Sequence, residues 1–341
     1  MIENKYLLHE VDLICKRIKF SSFKNKSILI LGSNSFFGSY LALAFAYANY
    51  KYNIKCNVTC VSKNKPNERL KFLKNQNKIS FIAQDITKKK FIDKISKKKF
   101  NYIFHSATYG QPAKWKSNEL ELLTLNTSVV DSILHNIRYT NTKFIYFSSC
   151  DVYGNTGKSI ANENSNLNFD INSSRSNYAL SKVLGERLCK YHRNKFGTKC
   201  IILRPGHTFG VGQSIKRDKR VILELIKKAL VNKKIELIDD GSSIKTWGYI
   251  TDIICMILQI SQKGKKDLYN TTGNNFLSIR KIAKIIGKTI NNTSVKLKKI
   301  NKDDPDVVRV SSKRFVNEFG DYNQTKFSFG IKKLINSNIN L

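Results

Sequence analysis

A tyrosine and a lysine lie four positions apart, at Tyr178 and Lys182, in a segment with the character of a helix. Residues i and i+4 share one face of a helix, so the phenol and the ammonium group would lie side by side. A free tyrosine has a pKa of about 10 and is a poor base at neutral pH, but a nearby ammonium group lowers that pKa. The pair is therefore a candidate general base, although a surface pair gives the same spacing.

A serine at the end of an apolar run favours the catalytic interpretation. The run Lys143–Phe147 is predicted to be a strand, and Ser149 follows it closely. A hydroxyl group at the carboxyl end of a parallel strand points into the crevice where ligands bind. We therefore expect Ser149 to hydrogen-bond the oxygen atom from which Tyr178 removes a proton.

A glycine turn lies nearer the start of the chain, after the predicted strand Ser27–Leu31. Gly32, Ser35 and Gly38 occupy the spaced positions of GSNSFFG, directly before an apolar helix. Such a turn presents the N–H groups of a helix N-terminus to a pyrophosphate. Ser35 replaces the middle glycine of the usual pattern, so the match is imperfect. The turn predicts a dinucleotide site, with a purely structural turn as the alternative.

The residues after the next two predicted strands bear on which dinucleotide binds. Ser62, Lys63 and Asn64 follow the second strand, where an NAD site usually has an acidic residue for the adenosine ribose. Lys63 could instead face the 2′-phosphate of NADP. Asp85 and Ile86 follow the third strand, where Asp85 would hydrogen-bond the adenine amine or cap a turn. These residues alone leave NAD and NADP both open.

The elements around these motifs alternate between apolar strands and helices, which predicts a parallel sheet covered on both faces. The expected fold class is α/β, with a Rossmann-type doubly wound sheet and a smaller C-terminal α/β substrate lobe. We expect a helical extension at 1–25, a dinucleotide-binding domain at 26–203, and a lobe at 204–341 that interleaves with the end of the sheet. The remaining predicted strands are Asn57–Val61, Ile79–Ala83, Tyr102–His105 and Cys200–Leu203, and the predicted helices include 118–138, Tyr178–Lys195, 221–231, 252–262 and 278–290.

The composition narrows the class of protein. The 341 residues carry a formal net charge of +35, but the lysines are scattered, so we expect no nucleic-acid partner. Seven cysteines without a CxxC pair, together with five histidines, indicate neither a disulfide framework nor a metal site. The sequence has no apolar run suited to a membrane span or a secretion signal. We therefore expect a cytoplasmic protein.

Taken in their order along the chain, the glycine turn, Asp85, Ser149 and the Tyr178/Lys182 pair resemble the motifs of the extended short-chain dehydrogenase/reductase family, specifically its nucleotide-sugar epimerases and dehydratases. The resemblance runs from about residue 26 to 330 and includes ILGSNSFFGSYL, QDI, IFHSAT, LNTSVVDSIL, FSSCDVYG, NYALSKVLGE, LRPGHTFGVG and DDGSSIKTWGYITDI. It implies an N-terminal Rossmann domain and a C-terminal substrate lobe. It also implies bound NAD, a nucleotide-diphosphate sugar as substrate, and a homodimer built on a four-helix interface.

The motifs and the resemblance together assign three groups of residues. The catalytic group is Ser149, Tyr178 and Lys182, with Asp151 as a further acid–base candidate. The cofactor group is Gly32, Ser35, Phe36, Phe37, Gly38, Ser62, Lys63, Asp85, Ile86, Ser106, Ala107 and Asn126, together with Tyr178 and Lys182. The substrate group is Thr108, Ser149, Cys150, Arg204, His207, Arg220 and Lys245, in which His207 replaces the family's usual Asn and Lys245 its usual Arg.

The resemblance implies oxidation of the sugar, usually at C4, to a keto intermediate. A 4-epimerase needs only the catalytic group and room for the sugar to turn, and it is the expected reaction. A 4,6-dehydratase usually carries Asp-Glu where this chain has Cys150 and Asp151; the thiol is a poor acid, which makes this the first alternative. A uronate decarboxylase using Arg220, an NADP-dependent 4-ketosugar reductase, and a non-catalytic or RNA-binding protein on the same fold are the remaining alternatives.

Overall fold

The computed structural model describes residues 4–73, 78–115, 117–173, 176–298, 306–321 and 323–339. Its strands are β1 Ser27–Leu31, β2 Asn57–Ser62, β3 Ile79–Ala83, β4 Tyr102–His105, β5 Lys143–Phe147, β6 Cys200–Pro205, β7 His207–Phe209, β8 Lys234–Glu236, β9 Ile244–Tyr249, β10 Leu268–Thr271, β11 Asn275–Ser278, β12 Ser294–Lys296 and β13 Val307–Val308. Its α-helices are α1 Lys5–Arg17, α2 Phe36–Tyr52, α3 Lys89–Ser96, α4 Glu119–Asn126, α5 Ser128–Ile137, α6 Ser176–Phe196, α7 Val221–Asn232, α8 Ile250–Lys263, α9 Ile279–Thr289, α10 Lys313–Phe319 and α11 Phe327–Ile339.

The main sheet is parallel and has the strand order β10-β6-β5-β4-β1-β2-β3. Its central strands are buried because helices cover both faces, which explains why their sequences are continuous apolar runs. The strand order reverses between β1 and β4, and in such sheets ligands bind outside the carboxyl ends of the strands at this point. This arrangement confirms the predicted Rossmann-type α/β fold.

The segment predicted as one helix over 118–138 is two helices. The backbone of Thr127, at φ −121° and ψ −81°, separates α4 from α5. The Thr127 hydroxyl donates to the carbonyl oxygen of Leu123 at 2.8 Å, a bond that favours bending of a helix. The break ends α4 at Asn126, whose side chain meets α6.

The chain after β6 contributes to two structures. β10 returns to the edge of the main sheet beside β6, and its register pairs Leu268 with Ile202. β7, β11 and β13 instead pair with β9 in a second sheet of mixed direction. The second sheet stands over the carboxyl ends of the main strands, because β7 follows directly from β6. The cleft between the two sheets is where the site residues gather.

Helix α1 packs against α2 and α8 through an apolar face formed by Leu7, Val11 and Ile14, which are at most 3% exposed. Glu10 lies on the same buried face and accepts hydrogen bonds from Thr251 and, at 2.7 Å, from Lys333. α1 is therefore part of the core and not a detached appendage. Within the described residues, none of the helices combines the length and apolar character that crossing a bilayer requires.

Candidate active site

A cavity of about 1480 Å³ opens at the carboxyl ends of the main strands, beneath the second sheet. The turn after β1, the ends of β2 to β5 and residues of β7 and β9 line it. Most of the predicted cofactor and substrate residues reach this cavity; they are Gly32, Ser35, Phe36, Phe37, Ser62, Lys63, Asp85, Ile86, Ser106, Ala107, Thr108, Ser149, Cys150, Tyr178, His207, Arg220 and Lys245. Gly38, Asn126, Lys182 and Arg204 lie buried behind its wall.

Tyr178 and Lys182 lie on the buried face of α6, as their spacing predicts. The Lys182 Nζ lies 5.8 Å from the centre of the Tyr178 ring. It donates to Asn126 Oδ1 at 2.8 Å and to the carbonyl oxygen of Phe147 at 2.6 Å. Burial lowers the pKa of Lys182 to about 7, while Glu186 acts in the opposite direction. The lysine is thus fixed by α4 and β5.

Lys182 by itself does not bring the pKa of Tyr178 below its ordinary value. Burial raises that pKa above its ordinary value, and the negative charge of Asp151 raises it further. A hydrogen bond with Ser149 acts in the opposite direction but is outweighed. The physical reason is that Lys182 directs its donors to Asn126 and Phe147, and the phenol is almost completely removed from water.

Ser149 and Asp151 form a short polar link beside Tyr178. The Ser149 hydroxyl donates to Asp151 Oδ2 at 2.9 Å, and the backbone N–H of Asp151 donates to Ser149 Oγ at 3.2 Å. Both residues line the cavity, and the carboxylate faces the serine and His207. The Asp151 carboxylate is therefore placed to act on a ligand.

Cys150 and His207 extend this link toward the second sheet. The Cys150 Sγ lies 3.6 Å from His207 Nδ1, and His207 Nε2 lies 3.8 Å from Asp151 Oδ1. Burial raises the pKa of the Cys150 thiol and lowers the pKa of His207 to about 4. At neutral pH the site therefore holds a neutral thiol and a neutral imidazole beside the Asp151 side chain.

The glycine turn fits a dinucleotide. Gly32 has φ +81°, and a Cβ there would lie 2.5 Å from the Ala107 Cα. A Cβ at Gly38 would lie 2.4 Å from the carbonyl oxygen of Gly32, so no larger residue fits either position. The N-terminus of α2 therefore opens directly onto the cavity, as phosphate binding requires.

Ser35 has a structural role that its mismatch with the glycine pattern hid. Its Oγ accepts the backbone N–H of Gly38 at 2.9 Å and so caps α2. The same oxygen lies 3.1 Å from the hydroxyl of Ser106, which also donates to the carbonyl oxygen of Leu31 at 3.0 Å. The serine thus ties the turn to β4, and its replacement of glycine does not disrupt the phosphate-binding geometry.

The end of β2 contains an ion pair. Lys63 Nζ lies 2.9 Å from Glu121 Oε1 and 3.8 Å from Asp85 Oδ2. Asp85 also accepts the backbone N–H and the hydroxyl of Thr87, at 2.9 and 2.8 Å, so it caps a turn while lining the cavity. A carboxylate is thus present near β2, although none follows that strand in the sequence.

The structure corrects two predicted contacts. Arg204 is 4% exposed and forms a bidentate pair with Glu186, from Nε to Oε1 at 2.8 Å and from Nη2 to Oε2 at 2.6 Å. Its guanidinium lies 4.8 Å from the centre of the Tyr153 ring, so it stabilises the core and does not face a ligand. Asn126 is also fully buried, and it holds Lys182 in place without lining the cavity.

Two predicted substrate cations line the cavity already paired with carboxylates. Arg220 forms a bidentate pair with Asp218, with Nε 2.9 and 3.0 Å from the two carboxylate oxygens. Lys245 pairs with Asp306. A bound anion would have to share these cations with their partners, which weakens Arg220 as a dedicated partner for a uronate.

Several residues that line the cavity were not predicted from the sequence, among them Trp115 and Arg69. Trp115 stacks on Tyr178 with ring centres 4.5 Å apart and an interplanar angle of 5°, and its Nε1 donates to the Tyr109 carbonyl oxygen at 2.8 Å. Arg69 donates to the carbonyl oxygen of Asn34 in the glycine turn at 2.9 Å and to Ser39 Oγ of α2 at 2.8 Å. Both lie in segments without periodicity, and only the scarcity of tryptophan, at two residues, could have marked Trp115.

Comparison with known proteins agrees with this geometry. The chain is 27% identical over 187 residues to a dTDP-4-dehydro-6-deoxy-D-allose reductase of Streptomyces bikiniensis, covering 54% of this chain and 57% of that protein. It is 28% identical over 228 residues to a putative UDP-glucose 4-epimerase of Methanocaldococcus jannaschii, covering 66% and 70%. The fold matches an epimerase structure from Methanothermobacter thermautotrophicus with a TM-score of 0.77 at 19% identity, over 95% of both chains.

The family model for NAD-dependent epimerases and dehydratases matches residues 28–271. This range contains β1 to β10, the glycine turn and the Ser149, Tyr178 and Lys182 group. Because the match covers well over half of the chain, the protein belongs to the NAD-dependent epimerase/dehydratase family.

Proposed function

We propose that this protein is a nucleotide-sugar 4-epimerase that works through a transient 4-keto sugar. The observation that carries the proposal is the convergence of Ser149, Tyr178 and the glycine turn on one cavity, with Lys182 directly behind Tyr178. A volume of about 1480 Å³ exceeds that of ordinary small-molecule pockets and suits two nucleotides together. Epimerisation requires nothing further than this group and room for the sugar to turn.

Each residue has a specific task in the proposed reaction. Tyr178 removes the proton from the C4 hydroxyl, and Ser149 donates a hydrogen bond to the same oxygen once the substrate replaces Asp151 as its partner. NAD supplies the hydride acceptor when bound. Lys182, held by Asn126 and the Phe147 carbonyl, has its Nζ 5.8 Å from the centre of the Tyr178 ring, and in its protonated form it stabilises the phenolate against the opposing effects of burial and Asp151.

The substrate class follows from the charge and the relatives. Lys245 and Arg220 both line the cavity, where a diphosphate would gain charge-assisted hydrogen bonds by sharing these cations with Asp306 and Asp218. The named relatives are described as acting on dTDP- and UDP-linked sugars. We therefore infer a nucleoside-diphosphate sugar.

The position of Asp151 favours a 4,6-dehydratase as the second candidate. Its carboxylate faces the reacting centre, as a base for the C5 proton must, whereas an epimerase has no need of it. The neighbouring Cys150 thiol, with its raised pKa, is a weak donor for the expulsion of the C6 hydroxyl. A reductase is supported by the names of three relatives, two of them dTDP-4-dehydro-6-deoxy-D-allose reductases, whereas pairing of Arg220 with Asp218 disfavours a decarboxylase.

Product analysis distinguishes these reactions. The purified protein is incubated with UDP-, dTDP-, GDP- and CDP-sugars, and the products are analysed by mass spectrometry and NMR. We expect a product of unchanged mass with inverted C4. Loss of water would establish the dehydratase instead, loss of carbon dioxide the decarboxylase, and consumption of added NADPH the reductase.

We also propose a cytoplasmic homodimer. A stripe of apolar residues runs along the outer face of α6, where Leu184 and Tyr191 are 42% and 49% exposed and Leu180 and Leu188 are half-buried. Such a stripe on a surface helix is typical of a helix–helix interface. The seven cysteines are all free and buried, which suits a reducing compartment. Sedimentation analysis should give a dimer that Leu184→Lys dissociates.

A further inference from the structure

A carboxylate stands at the end of β2 although the sequence places none after that strand. Glu121, in the first turn of α4, lies 2.9 Å from the ammonium group of Lys63, the first residue after β2. Asp85 lies 3.8 Å from the same ammonium group. All three side chains line the part of the cavity that also contains the glycine turn.

The surroundings keep the Glu121 carboxylate at this position. Its side chain is 24% exposed, whereas that of Lys63 is 53% exposed. The Tyr109 phenol lies beside it, and Glu121 contributes to raising the pKa of that phenol. A negative charge is also favoured in the first turn of a helix. The lysine is therefore the mobile partner of the pair, and the glutamate is the better-fixed one.

The net charge of this cluster decides which dinucleotide it accepts. A free lysine after β2 would attract the 2′-phosphate of NADP, whereas a carboxylate there accepts a hydrogen bond from the ribose hydroxyl of NAD. Lys63 contributes one positive charge, and Glu121 and Asp85 contribute two negative charges. A 2′-phosphate would thus meet a net negative charge and compete with Glu121 for Lys63.

We propose that Glu121 is the residue that selects NAD over NADP. From α4 it supplies the carboxylate that the end of β2 lacks, and it pairs with Lys63, the lysine that directly follows β2 and would otherwise be free to hold a 2′-phosphate. This assignment concerns dinucleotide binding and does not depend on which sugar reaction follows.

Competition between the two dinucleotides tests the proposal without any sugar substrate. The full-length protein is equilibrated with equal concentrations of NAD⁺ and NADP⁺, and the bound dinucleotides are released by denaturation and quantified by mass spectrometry. We expect the wild type to retain mainly NAD⁺. Glu121→Gln should raise the bound NADP⁺:NAD⁺ ratio about tenfold, because it removes a repulsive charge and frees Lys63.

Matched variants separate this effect from a general change of charge. Glu119→Gln, on the same helix and exposed, should leave the ratio unchanged. Lys63→Met alone should change the bound NADP⁺:NAD⁺ ratio little. Combined with Glu121→Gln, it should abolish the increase in that ratio. An unchanged ratio in Glu121→Gln, an equal gain in Glu119→Gln, or a wild type that retains mainly NADP⁺ would each overturn the proposal.

Discussion

The two halves of the cavity differ in how closely they follow the pattern of the family. In the cofactor half, the glycine turn and the residues after β4 occupy the expected positions, and Ser35 replaces a glycine while improving the cap of α2. In the substrate half, Cys150, His207 and Asp151 replace or shift the usual residues, and they contact one another. Binding of the cofactor therefore depends on the fold itself, whereas the choice of sugar reaction depends on a few side chains.

This difference has a physical origin. A pyrophosphate is bound by backbone N–H groups at a helix N-terminus, so only steric room and backbone shape matter, and Gly32 and Gly38 provide both. A sugar is bound and processed by side chains, whose protonation depends on burial and neighbouring charge. Variants of each half should therefore fail in different ways.

The largest effect on turnover is expected at Tyr178, where the cofactor half and the substrate half of the cavity meet. Tyr178→Phe removes the proton acceptor, and we expect turnover to fall by about 10²- to 10⁴-fold while binding of both nucleotides persists. Tyr191→Phe, on the exposed face of the same helix, is the control and should retain full activity. Turnover by Tyr178→Phe at the wild-type rate would remove this residue from the mechanism.

A large loss of stability is expected at Arg204, which the sequence analysis placed in the substrate half. Arg204→Met leaves the Glu186 carboxylate buried without its partner, so the free energy of unfolding should fall by about 3–5 kcal/mol. The exposed Arg187→Met should change it little. Denaturant unfolding measures both. A stable Arg204→Met with weakened sugar-nucleotide binding would restore the original assignment.

The cofactor half is tested at Gly32. Gly32→Ala introduces a Cβ 2.5 Å from the Ala107 Cα at φ +81°, and we expect NAD binding to weaken by more than about tenfold. Gly320 has a nearly identical φ of +82° but open space around it. Gly320→Ala therefore introduces backbone strain without a steric clash. It should lower the free energy of unfolding by about 1–3 kcal/mol and leave NAD binding unchanged. Calorimetry measures both quantities.

The substrate half is tested at Asp151, where the expected effect is smallest. Asp151 raises the pKa of Tyr178, so Asp151→Asn should lower it and shift the acidic limb of the pH–rate profile by about one unit toward lower pH. An epimerase should keep its turnover in this variant. If turnover is lost at every pH, Asp151 is an acid–base group of the reaction, and the dehydratase becomes the better assignment.

The sequence predicted the fold closely because buried parallel strands are continuous apolar runs. The predicted bounds of β1, β3, β4 and β5 agree with those in the structure, and β2 and β6 differ only at their C-terminal ends. Within the cavity, the residues that come from strand ends and from the glycine turn were also foreseen. The glycine turn, Asp85 and Ser149 follow from local periodicity and spacing, whereas Ser106, Ala107 and Thr108 were implied by the family resemblance.

The remaining features depend on contacts between residues distant in the chain. Glu121 in α4 forms an ion pair with Lys63, which follows β2, and Trp115 stacks on Tyr178 across the cavity. Arg204 was assigned to the substrate because it follows a strand, but its partner Glu186 lies one turn of α6 beyond Lys182 and turns it inward. No local pattern encodes such pairings.

The central claim is that the site oxidises the C4 carbinol of a nucleotide sugar and then returns the hydrogen to the other face. The most direct test uses a nucleotide sugar deuterated at C4, with products analysed by NMR and mass spectrometry. We predict a C4 epimer that keeps its deuterium at C4 and its mass, formed with a primary isotope effect. Recovery of every sugar nucleotide unchanged, or a product altered elsewhere with no isotope effect from C4, would contradict the account.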